Sequence, residues 1–84
     1  MFSEVPGKGV AAVALLNSQL FVTRNELAEV SVFDKISCQL QRKITRGDFG
    51  TSLWGLATCN TNKCLYVSDY SNDTVHRVDV SALG

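Results

Sequence analysis

The chain has 84 residues and a formal net charge of zero, with 8 basic and 8 acidic residues. A chain of this length forms at most one small domain, which buries only about 60% of its unfolded surface. Balanced charge excludes a strongly basic protein, so we expect neither nucleic acid nor an anionic membrane as the partner. The hydrophobic fraction of 45% is ordinary for a globular protein and argues against disorder.

The N-terminal residues, MFSEVPGKG, do not have the basic and apolar regions of a secretory signal. The nearest apolar run, VAAVALL at 10–16, is too short to span a bilayer. Three cysteines are an odd number, and without a signal they indicate reduced thiols. We therefore expect a cytoplasmic protein that does not bind a membrane.

Short strands are predicted along the whole chain, separated by turn residues at intervals of roughly 8–12 residues, a spacing typical of all-β proteins. The predicted strands cover residues 10–16, 19–23, 29–33, 39–45, 54–59, 64–68 and 74–80. In the fourth strand, alternation predicts that Leu40, Arg42 and Ile44 share one face of the sheet.

A repeat relates the two halves of the chain. Residues 20–34, LFVTRNELAEVSVFD, align with residues 65–79, LYVSDYSNDTVHRVD, at an offset of 45 residues. Four aligned pairs are identical, and Phe21 and Thr23 align with the similar Tyr66 and Ser68. A period near 45 is what a four-stranded propeller blade requires, and propellers have about four to eight such blades.

The second copy resembles the hairpin of an NHL- or YVTN-type β-propeller repeat. The matching features are an apolar-aromatic-valine strand ending at Asp69, then Asn72 three residues later, then a strand that contains Val75 and closes in Val-Asp. The first copy departs from this pattern, because Arg24 occupies the position of Asp69. The resemblance implies an all-β chain of two consecutive antiparallel propeller-blade units, of four strands each with the second incomplete. Such a chain is a fragment of, or a building block for, a β-propeller.

The expected organisation is an N-terminal segment at 1–8, a first blade at 9–48 and a second blade at 49–84 that lacks its outer strand. Two blades cannot close a ring, and an unclosed propeller exposes faces and strand edges. Either the chain is a piece of a longer propeller, or several copies assemble as a homo-oligomer that completes a ring. In such a ring, residues 2–5 of one copy are a candidate outer strand for the next.

The polar centre of the second copy is predicted to be a turn. Asp69 can accept hydrogen bonds from the backbone just ahead of it, and Asn72 suits a left-handed backbone. The alternative is a calcium loop, which needs alternating oxygen ligands and a final bidentate glutamate. Only Asp69, Ser71 and Asp73 alternate, and no glutamate follows them. We therefore expect Asp69 and Asn72 to form the turn.

Cys59 and Cys64 flank the loop NTNK and are candidates for a disulfide across the mouth of a hairpin. A zinc site is a rival interpretation, with His76 and Cys38 as the remaining ligands. The favoured interpretation is a pair of small, half-buried apolar side chains, because cysteine is readily buried. We expect neither a metal nor a cofactor.

No catalytic constellation stands out, because His76 is the only histidine and no Gly-x-Ser-x-Gly motif occurs. Trp54 is expected to pack between blades, with contact to a partner at the channel mouth as the alternative. The candidate binding residues at the rim and channel mouth are Arg46, Asp48, Trp54, Tyr70 and His76.

The resemblance implies a non-catalytic module that binds a protein or peptide through loops on one face of the propeller. The resemblance also implies an alternative function. In this alternative, the chain is part of a metal-dependent, lactonase-like propeller hydrolase whose active site lies on other blades. The predicted innermost strands, VAAVALL and WGLATC, carry no acidic residue and contribute no carboxylate to such a metal site.

Overall fold

The computed structural model describes residues 9–24 and 26–80. These residues form seven strands: β1 (Val10–Leu16), β2 (Gln19–Arg24), β3 (Glu29–Asp34), β4 (Leu40–Thr45), β5 (Leu53–Cys59), β6 (Cys64–Asp69) and β7 (Thr74–Asp79). A single 3₁₀ turn (Tyr70–Asn72) joins β6 to β7. The N-terminal segment at 1–8, the candidate strand at 2–5 and the last four residues of the second unit lie outside the described residues.

The strands form two antiparallel sheets, which confirms the predicted all-β fold. The first sheet has the order β1-β2-β3-β4 and the second has the order β5-β6-β7. Sequential pairing needs only short turns; that between β1 and β2, for example, uses Asn17 and Ser18, both in the left-handed region with φ of 54° and 64°. Four strands followed by three are compatible with two propeller-blade units, the second without its outer strand.

Each predicted strand begins and ends within one residue of an observed strand, but the residues on the two faces of β4 differ from the prediction. A register shift in the β3–β4 pair places Leu40 opposite Phe33 and Arg42 opposite Val32. Because Val32 and Phe33 point to opposite sides of the sheet, Leu40 lies on the face opposite Arg42 and Ile44. The prediction that the three residues share a face is wrong, since a bulge adds one residue to β4.

One hydrophobic core lies between the two sheets. Its buried members are Leu16, Phe21, Val30, Val32 and Ile44 from the first half and Phe49, Leu53, Leu65, Val67, Val78 and Val80 from the second. Burying a large apolar side chain stabilises a fold by roughly 1.5–3 kcal/mol. The inner face of each sheet is therefore covered by the other sheet.

Each sheet also has a face that points away from this shared core. The first outer face carries Val13, Leu15, Leu20, Phe33 and Leu40, and the second outer face carries Ala57, Tyr66, Ser68, Val75 and Arg77.

Among the described residues, no helix is long and apolar enough to cross a membrane.

Candidate functional site

Three of the five predicted binding residues come from two connections at the same end of the sheets, and the other two, Trp54 and His76, lie in β5 and β7. The β4–β5 connection carries Arg46 and Asp48, and the β6–β7 connection begins with Tyr70. Backbone and side-chain hydrogen bonds join the two: Tyr70 N donates to Ser52 O at 2.9 Å, and Asn72 Nδ2 donates to Asp48 O at 3.2 Å. The antiparallel topology therefore brings these segments together into one loop surface.

Asp69, at the end of β6, is a buried carboxylate surrounded by donors. Its Oδ1 accepts from Ser71 Oγ at 2.8 Å and from Asn72 N at 3.3 Å. Its Oδ2 accepts from Gly50 N at 2.8 Å and from Asn72 Nδ2 at 2.9 Å, and lies 2.7 Å from His76 Nε2. These bonds cap the 3₁₀ turn and also tie it to the β4–β5 connection.

Hydrogen bonding keeps Asp69 ionised despite its burial. The His76 hydrogen bond, followed by those from Gly50, Ser71 and Asn72, holds the pKa of Asp69 well below its usual range, against the raising effect of desolvation. An ionised carboxylate only accepts hydrogen bonds, so His76 Nε2 carries the proton. The buried charge is therefore fully surrounded by donors.

Gly50 approaches this carboxylate so closely that a side chain does not fit. A Cβ at position 50 would overlap Ser71 Oγ and lie 2.7 Å from Asp69 Oδ1. The left-handed residue of the neighbouring turn is Asp73, with φ of 52°, and not Asn72 as expected. Asn72 instead uses its side-chain amide to bridge Asp69 and the backbone of Asp48.

His76 was predicted at the rim, and the structure places it in the interior at 6% exposure. Strand alternation explains this position, because His76 shares the core-facing side of β7 with Val78. Its Nδ1 lies 3.5 Å from Asp48 Oδ2, and its ring lies 5.0 Å from that of Phe49. The imidazole therefore links the buried Asp69 to the exposed Asp48.

Arg46 and Asp48 form an exposed, bidentate pair. Arg46 Nε and Nη2 donate to the two carboxylate oxygens of Asp48 at 3.1 Å and 3.0 Å. Arg46 Nη1 also donates to the backbone oxygen of Arg77 at 3.0 Å, which fastens the loop to β7. Exposed pairs of this kind contribute only about 0–1 kcal/mol, so the geometry they hold matters more than their energy.

Trp54 and Tyr70 form a parallel aromatic stack on the loop surface, with ring centroids 5.1 Å apart and an interplanar angle of 7°. Trp54 is 55% exposed and Tyr70 is 72% exposed. Trp54 was expected to pack between blades, but it does not pack between the two sheets of this chain. The stack borders an open cleft of about 360 Å³, which we call the aromatic cleft; its other lining residues are Ser68, Asp69, Asp73, Thr74 and Val75.

The cysteines lie at the opposite end of the sheets. Cys59 is directly opposite Cys64 in the β5–β6 register, and both are free thiols, as is Cys38. His76 faces two carboxylates, which leaves the zinc interpretation without its histidine. In the part of the chain that the structure describes, no group of three or more His, Cys, Asp or Glu side chains is arranged to hold a metal ion.

Asp69, Ser71 and His76 are the residue types of a hydrolytic triad, but they are connected in a different order. In a triad the histidine lies between the other two residues, so that it can take the proton of the serine. Here the aspartate lies in the middle, and Ser71 Oγ donates to Asp69 Oδ1 at 2.8 Å. This arrangement stabilises a turn and does not prepare a nucleophile.

Comparisons of the chain with protein-family models, curated protein sequences and solved structures find no match. The NHL- or YVTN-type resemblance therefore stays a prediction.

Proposed function

We propose that the chain is a non-catalytic β-propeller repeat module that binds a protein or peptide at the aromatic cleft. The observation that carries this proposal is the exposed stack of Trp54 on Tyr70 beside the cleft. Tryptophan and tyrosine are enriched among residues that dominate binding energy, and they present a large contact area with few rotatable bonds. Two such rings already held parallel lose little freedom when a partner covers them.

The buried network around Asp69 supports this surface. Tyr70 follows Asp69 directly and is held by its backbone hydrogen bond to Ser52. The Gly50 N–H bond to Asp69 fixes the connection that leads into Trp54. We assign this network a supporting role, because its polar atoms are used to join the two connections that carry the aromatic pair.

The proposal is tested by selecting peptides from a displayed random library on the immobilised protein. Selected peptides are then titrated against Trp54→Ala and Tyr70→Ala, with Ile36→Ala as the matched control. Ile36 is 80% exposed but lies in the β3–β4 turn, away from the cleft. A binding-energy loss of about 2 kcal/mol per aromatic residue corresponds to affinity falling about 30-fold.

We expect this loss for both aromatic variants and unchanged affinity for Ile36→Ala. Circular dichroism of each variant verifies that the fold is retained. Peptides that bind the Trp54→Ala and Tyr70→Ala variants as tightly as the unmodified chain would refute the proposed site. Failure of the library to yield any peptide with Trp54-dependent binding would refute peptide binding at the cleft.

A further inference from the structure

Equivalent positions of the two repeats differ sharply in exposure. Val30 and Val75 are related by the 45-residue offset, yet Val30 is 0% exposed and Val75 is 64% exposed. The neighbouring equivalent pair behaves in the same way, with Thr23 buried and Ser68 only half-buried. The face that the second sheet covers on the first repeat is therefore open on the second repeat, where it forms one side of the aromatic cleft.

The opposite faces show the reverse relation. Leu65 and Val78 point into the shared core, whereas their equivalents Leu20 and Phe33 lie on the first outer face. The first outer face is thus the repeat equivalent of the face that the second sheet presents to the core. We call the side of a repeat that carries Val30 or Val75 its front, and the side that carries Leu20 or Leu65 its back. The contact within the chain joins the front of the first repeat to the back of the second, and a contact of this kind can be repeated by further copies.

Side chains on the first outer face are suited to such a contact. Val13 and Leu15 are each about half exposed there, as is Leu40, which reaches this face through the β4 bulge. Leu40 borders a groove of about 180 Å³ whose other lining residues are Arg24, Leu27, Glu29, Ser31, Phe33 and Lys43. This groove, with Leu27, Phe33 and Leu40 as its apolar lining residues, therefore lies on the side of the first repeat that corresponds to the side of the second repeat away from the aromatic pair.

We infer that the partner of the aromatic cleft is a second copy of this chain, whose first outer face packs on the second outer face of its neighbour. This inference rests on the proposed function, because it names the protein that fills the proposed cleft. The contact is head-to-tail, so it joins different surfaces of the two copies. Copies joined in this way form a ring if the rotation between them closes, and an open filament if it does not.

The experiment measures molar mass by light scattering over a range of concentrations, with one variant for each face. Leu15→Lys places a charge on the first outer face, Val75→Lys places one on the second, and Ile36→Lys adds the same charge away from both. We expect multi-copy assembly for the unmodified chain and for Ile36→Lys, and a monomer for each face variant alone. In an equimolar mixture, Val75→Lys supplies an intact first outer face and Leu15→Lys supplies an intact second outer face. These two faces can pair once, so we expect a one-to-one dimer that grows no further.

A monomer at every concentration of the unmodified chain overturns the inference, and this result needs no variant to fold. Assembly of Leu15→Lys alone to the size of the unmodified protein also overturns it, because that outcome requires a contact between identical faces. A monomeric chain that still binds selected peptides through Trp54 would leave the proposed function standing with a different partner. Loss of both self-association and peptide binding would refute both proposals.

Discussion

Gly50 lies against the buried carboxylate of Asp69, and replacement of this glycine by alanine is the sharpest test of the network. A Cβ there would overlap Ser71 Oγ and crowd Asp69 Oδ1 at 2.7 Å. Both atoms belong to groups that are already held by hydrogen bonds, so they cannot move without breaking bonds to the turn. We expect Gly50→Ala to destabilise the fold.

The chain contains a matched control in the same connection. A Cβ at Gly47 meets no atom within 4 Å, and neither glycine has a positive φ. Both alanine substitutions reduce the conformational freedom of the unfolded chain, which by itself stabilises a protein by about 0.4–1 kcal/mol. This effect cancels between the two variants, so their difference isolates the overpacking, which typically costs about 1–3 kcal/mol.

The assay is urea unfolding of the two variants, followed by circular dichroism. For a slope of about 1 kcal/mol per molar urea, at the low end of the range for small proteins, the midpoints should lie about 1–3 M apart, with Gly50→Ala the less stable. Coincident midpoints for Gly50→Ala and Gly47→Ala would show that Gly50 does not pack against the Asp69 carboxylate.

Three further predictions concern acid stability, the core and the thiols. Because hydrogen bonds, that of His76 foremost, lower the pKa of Asp69 from its ordinary 3.8, its stabilisation is complete above about pH 4 and is lost as the pH falls through the folded-state value. The urea midpoint should therefore fall more steeply in acid for the unmodified chain than for Asp69→Asn, and parallel curves would contradict this. Phe21→Ala removes a fully buried ring and should cost about 3–5 kcal/mol, enough to abolish the thermal transition in a chain of this size. Since Cys59 lies opposite Cys64, mild oxidation should join them with loss of two hydrogen atoms in peptide mass spectrometry, whereas recovery of both as free thiols would contradict this expectation.

The strands could be predicted because their signals are local. Alternating apolar residues and intervening turn residues placed every strand within one residue of its observed bounds. Alternation fails where a bulge adds a residue, as it does in β4, and Leu40 then lies on the opposite face from the one predicted. The position of His76 could have been found from the same alternation, since Val78 two residues later is apolar and core-facing.

The remainder of the candidate site depends on contacts between distant residues. The turn at Asp69 and Asn72 has a local sequence signal, but the bond from Gly50 to Asp69 spans 19 residues. No local pattern distinguishes Gly50 from Gly47, although only Gly50 lies against the carboxylate. The stacking of Trp54 on Tyr70 likewise needs β5 and β6 to be paired in the observed register before the rings meet.

The most direct test of the aromatic cleft as a binding surface is acrylamide quenching of Trp54 fluorescence as the protein concentration rises. Trp54 is the only tryptophan, so its emission reports the cleft alone. If copies associate through this face, quenching should weaken and the emission should shift to shorter wavelength as assemblies form, while Leu15→Lys stays quenchable throughout. Trp54 that remains fully quenchable while the molar mass rises would contradict this, because association would then occur elsewhere.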